Sequence, residues 1–134
     1  MPSVVLDTDV LSYQFKGDSR AQPYDRHLAG RLWIISFMTL AELRWWTLRR
    51  RWGRARRQQL ADHLRAVQVY YADLDLCHRW AEVTWAAQRK GRPMSTADAW
   101  IAATALVLGV PLVTHNPGDY AGVAGLRLIA EAGP

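Results

Sequence analysis

The chain has 134 residues, enough for one domain with a sizeable core and too few for two. Half are hydrophobic and 22% are charged, the balance of a soluble globular protein, and the single cysteine, Cys77, excludes an internal disulfide framework and suits the reducing cytosol. The net charge of +5 is an arginine effect, with Lys16 and Lys90 the only lysines, and it tilts the chain toward a polyanionic partner.

Ser3-Val-Val-Leu6 is a short β-branched run ending at Asp7, which reads as a first strand. No basic region precedes it, so the N-terminus is not read as a secretion signal. Val10 to Phe15 allows one or two helical turns stopped near Gly17, and Ala21 to Ala29 suggests a second helix before Gly30. Leu32-Trp-Ile-Ile35 is strand-like. Thr39 to Trp52 follows a helical period, with Ala41, Trp45, Leu48 and Trp52 as its apolar stripe. Gly53 separates it from a helix over Arg54 to Ala66, and Val67 to Tyr71 reads as a third strand. Asp75 can cap a helix running to Lys90, stopped by Gly91 and Pro93. Ser95 opens a helix to Leu108, Pro111 to Thr114 is a fourth strand, and Leu126 to Ile129 is a last short one. Ala97 to Val113 is the longest apolar stretch, but Asp98, Thr104, Gly109 and Pro111 interrupt it, so no membrane span is expected. Strands alternating with helices predict an α/β domain over residues 1–134, with a mainly parallel sheet covered on both faces. Such sheets bind ligands outside the carboxyl ends of their strands.

Four acids fall where that edge should be. Asp7 follows the first strand directly, and Asp119 comes shortly after the fourth, in Val-Thr-His-Asn-Pro-Gly-Asp-Tyr. Glu42, in Thr39-Leu-Ala-Glu42, and Asp98, in Ser95-Thr-Ala-Asp98, each stand in an expected first helical turn. Both patterns also fit a capping box, in which the acid merely closes the helix start. Asp119 alone also reads as a turn residue, and Asp9 as a cap or turn residue. Asp7 is different, because an acid ending a buried apolar strand needs hydrogen bonds or a cation.

Together the four suit Mg²⁺ or Mn²⁺, hard ions that prefer oxygen ligands. Phosphodiester hydrolysis needs what such ions supply, an activated water and a stabilised leaving oxygen. Mutual repulsion predicts raised carboxyl pKa values in the metal-free protein, offset for Glu42 and Asp98 by positive helix ends. Zinc is not expected, since His27, His63, His78 and His115 are scattered and none pairs with a cysteine at ligand spacing. Arg44, Arg49, Arg50, Arg51, Arg54, Arg56, Arg57 and Arg65 crowd one region together with Trp45, Trp46 and Trp52. They offer forks for phosphate and rings for bases, or else form a solvated helix face over buried tryptophans.

At these acids the sequence resembles a PIN-domain protein, and within that superfamily a VapC toxin ribonuclease of a type II toxin–antitoxin system. The segments that carry the resemblance are Leu6–Ser12, Ser36–Leu43, Ser95–Ala105, Leu112–Tyr120 and Val123–Leu126, in family order over nearly the whole chain. It implies an α/β/α sandwich and a cytoplasmic, Mg²⁺- or Mn²⁺-dependent endoribonuclease. Asp7, Glu42, Asp98 and Asp119 match the family's catalytic, metal-binding acids, and Thr8, Thr114 and Asn116 its small polar residues that orient them. The resemblance further implies RNA as substrate, a homodimer, and a VapB-like antitoxin that occludes the cleft and makes any DNA contact. Asp9 departs from the pattern, since many relatives carry asparagine there. Trp46 and Arg49, at offsets of four and seven from Glu42, are expected to touch substrate or antitoxin. Two other readings stay open. Asp7-Thr-Asp9-Val also fits the motif of haloacid-dehalogenase-like phosphatases, with Asp7 as nucleophile, Asp9 as general acid and Lys90 near the phosphate. A PIN-like module can also bind RNA or a partner without cutting.

Overall fold

The β-branched run that follows Pro2 is buried on both sides, so it forms the middle of a sheet rather than an edge. In the computed structural model, which describes residues 2–131, β1 (Ser3–Leu6) lies at the centre of five parallel strands. The others are β2 (Leu32–Ser36), β3 (Val67–Tyr70), β4 (Leu112–Val113) and β5 (Leu128–Ile129), in the order β3-β2-β1-β4-β5. Val5 of β1 stands opposite Ile34 of β2 and Leu112 of β4.

Side chains leave the strands alternately and build two cores. Val4, Leu6 and Ile35 pack on one face beneath α1 (Thr8–Lys16), α3 (Phe37–Arg49) and α4 (Arg54–His63), through Leu11, Leu43 and Leu60. Val5, Ile34 and Leu112 pack on the other, against Val83 of α5 (Leu74–Arg89) and Ala99, Ile101 and Ala102 of α6 (Thr96–Leu108). The result is the expected α/β/α sandwich. The chain builds β1, β2 and β3 outward in one direction, then crosses back to place β4 on the free side of β1. Strand order therefore reverses between β1 and β4, and a crevice opens at their carboxyl ends.

Several elements depart from expectation for identifiable reasons. The helix expected over 21–29 is a 3-10 segment, Ser19–Tyr24, followed by a single α turn, α2 (Asp25–Leu28). Pro23 lies inside it, and a residue without an N–H cannot continue an α-helical ladder. Helix α3 starts at Phe37 rather than Thr39, because Ser36 at the end of β2 caps it, accepting from the Met38 amide at 3.0 Å. Its buried face runs through Thr39, Leu43 and Thr47. Ala41, Trp45 and Leu48 of the expected stripe face solvent instead, Trp45 being 54% and Leu48 71% exposed, while Trp52 packs against the core. Apolar residues occupy two sides of this helix, and the threonines on the core side disguise which one is buried. Helix α4 ends at His63, and a 3-10 turn, Leu64–Ala66, leads into β3. Asp73, not Asp75, caps α5 by accepting from the Leu76 amide at 2.8 Å. Strands β4 and β5 span two residues each, shorter than expected. Among the described residues, no helix is long and apolar enough to cross a membrane.

Candidate active site

Asp7 leaves β1 at the crevice and caps α1. It is only 7% exposed, yet both of its oxygens have partners. Oδ1 accepts from the Thr8 amide at 2.7 Å, and Oδ2 accepts from the Thr114 hydroxyl at 2.8 Å. Thr114 follows β4 directly, and its hydroxyl oxygen also accepts from the Asn116 amide at 3.0 Å. One buried hydroxyl thus ties the ends of the two central strands together.

Glu42 is reached from α1. The Thr8 hydroxyl donates to Glu42 Oε1 at 2.9 Å and lies 2.9 Å from the Thr39 hydroxyl. Thr8 has one proton and gives it to the carboxylate, so Thr39 is the donor between the two threonines. Because Ser36 rather than Thr39 caps α3, Glu42 sits in the second helical turn, and the expected support from a positive helix end is replaced by the Thr8 hydroxyl. Asp98 does stand in the first turn of α6, where its amide donates to Ser95 Oγ at 3.1 Å. Its carboxylate interacts with the Ser95 side chain and also reaches the turn after β4. Asp98 Oδ1 accepts from the Tyr120 hydroxyl at 3.2 Å. Asp119 and Tyr120 belong to a 3-10 turn, Pro117–Tyr120, after β4.

The four expected acids, Asp7, Glu42, Asp98 and Asp119, line one open cleft of about 200 Å³, together with Asp9. Thr8, Asn116 and Trp46 complete its wall, and Thr114 lies beneath, fully buried. Arg49 is not part of the wall; its guanidinium lies over the Trp45 ring, 5.2 Å from the centroid. Asp9 does more than start a helix. One oxygen accepts from the Val10 amide at 2.6 Å, and the other from the His115 amide at 3.1 Å and Asn116 Nδ2 at 2.7 Å, so it anchors the loop after β4. His115 stands behind that loop, with Nδ1 2.7 Å from the Tyr24 hydroxyl.

The electrostatics follow from this crowding. Burial, and then the neighbouring Asp9, push the Asp7 carboxyl up to about 7, against the hydrogen bonds from Thr114 and Thr8. Burial raises Asp9 as well. Glu42 is raised by burial with Asp98 adding to it, and Asp98 by burial with Asp119 adding. The Tyr120 phenol is pushed far up by burial and by Asp7 and Asp98, so it stays protonated and serves as a donor.

Such a site fits a divalent cation by its donor chemistry: oxygen donors, mostly carboxylates, of which Asp7, Asp9, Glu42 and Asp98 are made costly to ionise by burial. Among the described residues, no three histidine, cysteine, aspartate or glutamate side chains stand placed as a ready-made metal site. Sequence reasoning missed Tyr120 and Thr39. A buried tyrosine needs a partner for its hydroxyl, and its place beside Asp119 was the available hint. Thr39 read only as a helix start.

A family model described as the PIN domain matches residues 4–126. The chain belongs to the PIN-domain family. This PIN domain is similar to ribonuclease VapC1 of Haemophilus influenzae strains R2866 and 86-028NP. Each is 26% identical over 132 residues, covering 92% of this chain and 93% of the relative. Among solved structures it resembles VapBC2 from Rickettsia felis bound to a DNA fragment from the promoter, with a TM-score of 0.86 at 21% identity. That match covers 96% of this chain and 98% of the other, and at such identity it bears on the fold alone. It also resembles VapBC-5 from Mycobacterium tuberculosis, with a TM-score of 0.74 at 29% identity, covering 97% and 100% of the two chains.

Proposed function

We propose that this PIN domain is a Mg²⁺- or Mn²⁺-dependent endoribonuclease, the toxin of a toxin–antitoxin pair. The observation that carries the reading is the convergence of Asp7, Glu42, Asp98 and Asp119, from four separate segments, at the switch point of a parallel sheet. The curated relatives, named as ribonucleases, support the same activity. The four acids are the groups that would hold the metal. When bound, such an ion lowers the pKa of a coordinated water and offsets charge on the phosphate and leaving oxygens. The protein's own part is orientation. Thr114 and Thr8 fix the Asp7 and Glu42 carboxylates, Tyr120 holds Asp98, and Asn116 with Asp9 steadies the loop that carries Asp119.

RNA suits the rim. Trp46 lines the cleft, and Lys16 and Arg50 lie over its ring at 5.7 and 5.3 Å, cations beside a stacking surface. The likeness to VapBC-5, a toxin–antitoxin system, supports a VapB-like antitoxin as partner; that it covers the cleft, that this chain forms a homodimer and that any DNA contact is the antitoxin's belong to the same proposal. The phosphatase reading has less support, because Lys90 lines a neighbouring cavity and donates to the Gly122 carbonyl rather than standing at Asp7.

The test is cleavage of RNA by the purified chain. With Mn²⁺ or Mg²⁺ it should give fragments bearing 5′-phosphates, and EDTA, Asp7→Asn or Asp98→Asn should slow cutting by about a hundredfold or more. Cutting that persists in EDTA removes the metal from the mechanism. Phosphate released from a simple monoester, and lost in Asp9→Asn, would favour the phosphatase instead.

A further inference from the structure

A second cavity, of about 360 Å³, shares Asp98 and Asp119 with the carboxylate cleft and runs between the α5–α6 connection and the turn after β4. Lys90 and Arg92 also line it, as do the apolar Pro93, Met94 and Val123. Two cations and two carboxylates therefore face one small volume, yet among the described residues no ion pair joins them. Lys90 Nζ donates to the Gly122 carbonyl at 2.7 Å, and the Arg92 side chain runs past Gly122, its Cδ 3.8 Å from where a β-carbon there would sit. The positive edge is thus held apart from the negative one by the backbone it grips. Opposite charges kept unpaired in one cavity suit a ligand that carries both an anion and contact with the acidic edge. The volume is in the range of small-ligand pockets.

We propose that this cavity is a nucleotide subsite, seating the nucleotide next to the scissile phosphate of the RNA, with Arg92 and Lys90 on its phosphate and Pro93, Met94 and Val123 against its base and sugar. This inference rests on the reading of the neighbouring cleft as an RNA-cutting centre. Arg92 is the principal anchor. It is exposed, and its guanidinium can grip a phosphate bidentately, whereas Lys90 is a point charge already holding Gly122. The apolar wall favours a base over an acidic side chain, which has no flat face to bury there. Because Asp98 and Asp119 border both cavities, a nucleotide seated here lies beside the reacting centre and sets which base precedes or follows the cut.

Binding is read without cutting, on the Asp7→Asn protein in EDTA, with a fluorescein-labelled single-stranded RNA decamer. Adding Arg92→Glu should weaken that binding by about tenfold, and Arg92→Lys by less. In the protein with Asp7 intact, Arg92→Ala should raise KM for RNA about tenfold with kcat within about threefold, and leave the Mn²⁺-induced thermal shift unchanged. Adenosine 5′-monophosphate should move the backbone amides of Met94, Ser95 and Gly122. The proposal falls if Arg92→Glu leaves RNA affinity and Arg92→Ala leaves KM unaltered, if the nucleotide moves amides only elsewhere, or if a glutamate-rich peptide binds here and the nucleotide does not. A protein that cuts no RNA, yet binds the nucleotide through Arg92, overturns the nuclease reading and keeps the subsite. One that cuts with a KM indifferent to Arg92 does the reverse.

Discussion

A carboxyl group buried as deeply as Asp7 works against the fold whenever it is ionised. Its pKa is raised from 3.8 to about 7, so the folded protein holds the proton more tightly than the unfolded chain. The stability this lends is fully present below about pH 4 and is lost as pH rises through 7, on the order of 4 kcal/mol. In EDTA, the difference in urea stability between the native protein and Asp7→Asn should therefore shift across that window in favour of the variant. Added Mn²⁺ should stabilise the native protein more at pH 7.5 than at pH 5, because the ion competes with protons for the same oxygens. A difference that stays flat with pH would mean that Asp7 is solvated. Thr114→Val removes the donor to Asp7 and the acceptor for the Asn116 amide at once. It should cost about 1–3 kcal/mol by thermal melting and slow RNA cutting by about 10–100-fold. Asp7 was legible in the sequence because an acid that ends an apolar strand needs a special reason. Tyr120 was not, because its hydroxyl meets Asp98 only through a 3-10 turn and a helix start that lie far apart along the chain.

Among the elements, α3 teaches most. Both of its flanks carry large apolar side chains, so helical periodicity alone admits two orientations, and the solvent side carries Trp45 and Leu48. What decides between them is the cap: Ser36 ends β2 and starts α3 with no intervening loop, which fixes the helix's rotation and turns Thr39, Leu43 and Thr47 inward. Leu43→Ala should thus cost about 2–5 kcal/mol, and Leu48→Ala within about 0.5 kcal/mol, as read by chemical denaturation. Equal costs would restore the other orientation. The same rotation carries Glu42 and Trp46 to the cleft, so packing beneath the helix and chemistry at its edge are settled by a single serine. Elsewhere α6 was readable from end to end, since Ser95 opens it and Gly109, in a left-handed conformation with φ 67°, closes it.

At the scale of the whole molecule, the alternation of strands and helices made a parallel α/β sheet legible, whereas no periodicity states that β4 pairs with β1. That neighbour relation comes from long-range packing of both cores, and the site depends on it. The partners Asp7 and Thr114 are 107 positions apart. A ribosome translating this message carries Asp7 and Glu42 long before it has made β4, the strand next to the bracing Thr114, and Asp98 shortly before. A product terminated at Val110 would have three of the acids without Thr114 or Asp119, and should leave intact the RNA that the full-length chain is expected to cut. Cutting by that fragment would show that bracing is dispensable. Birth order thus sets when the site exists: the nuclease proposed above would gain its cutting power only once β4 and the turn after it have been made.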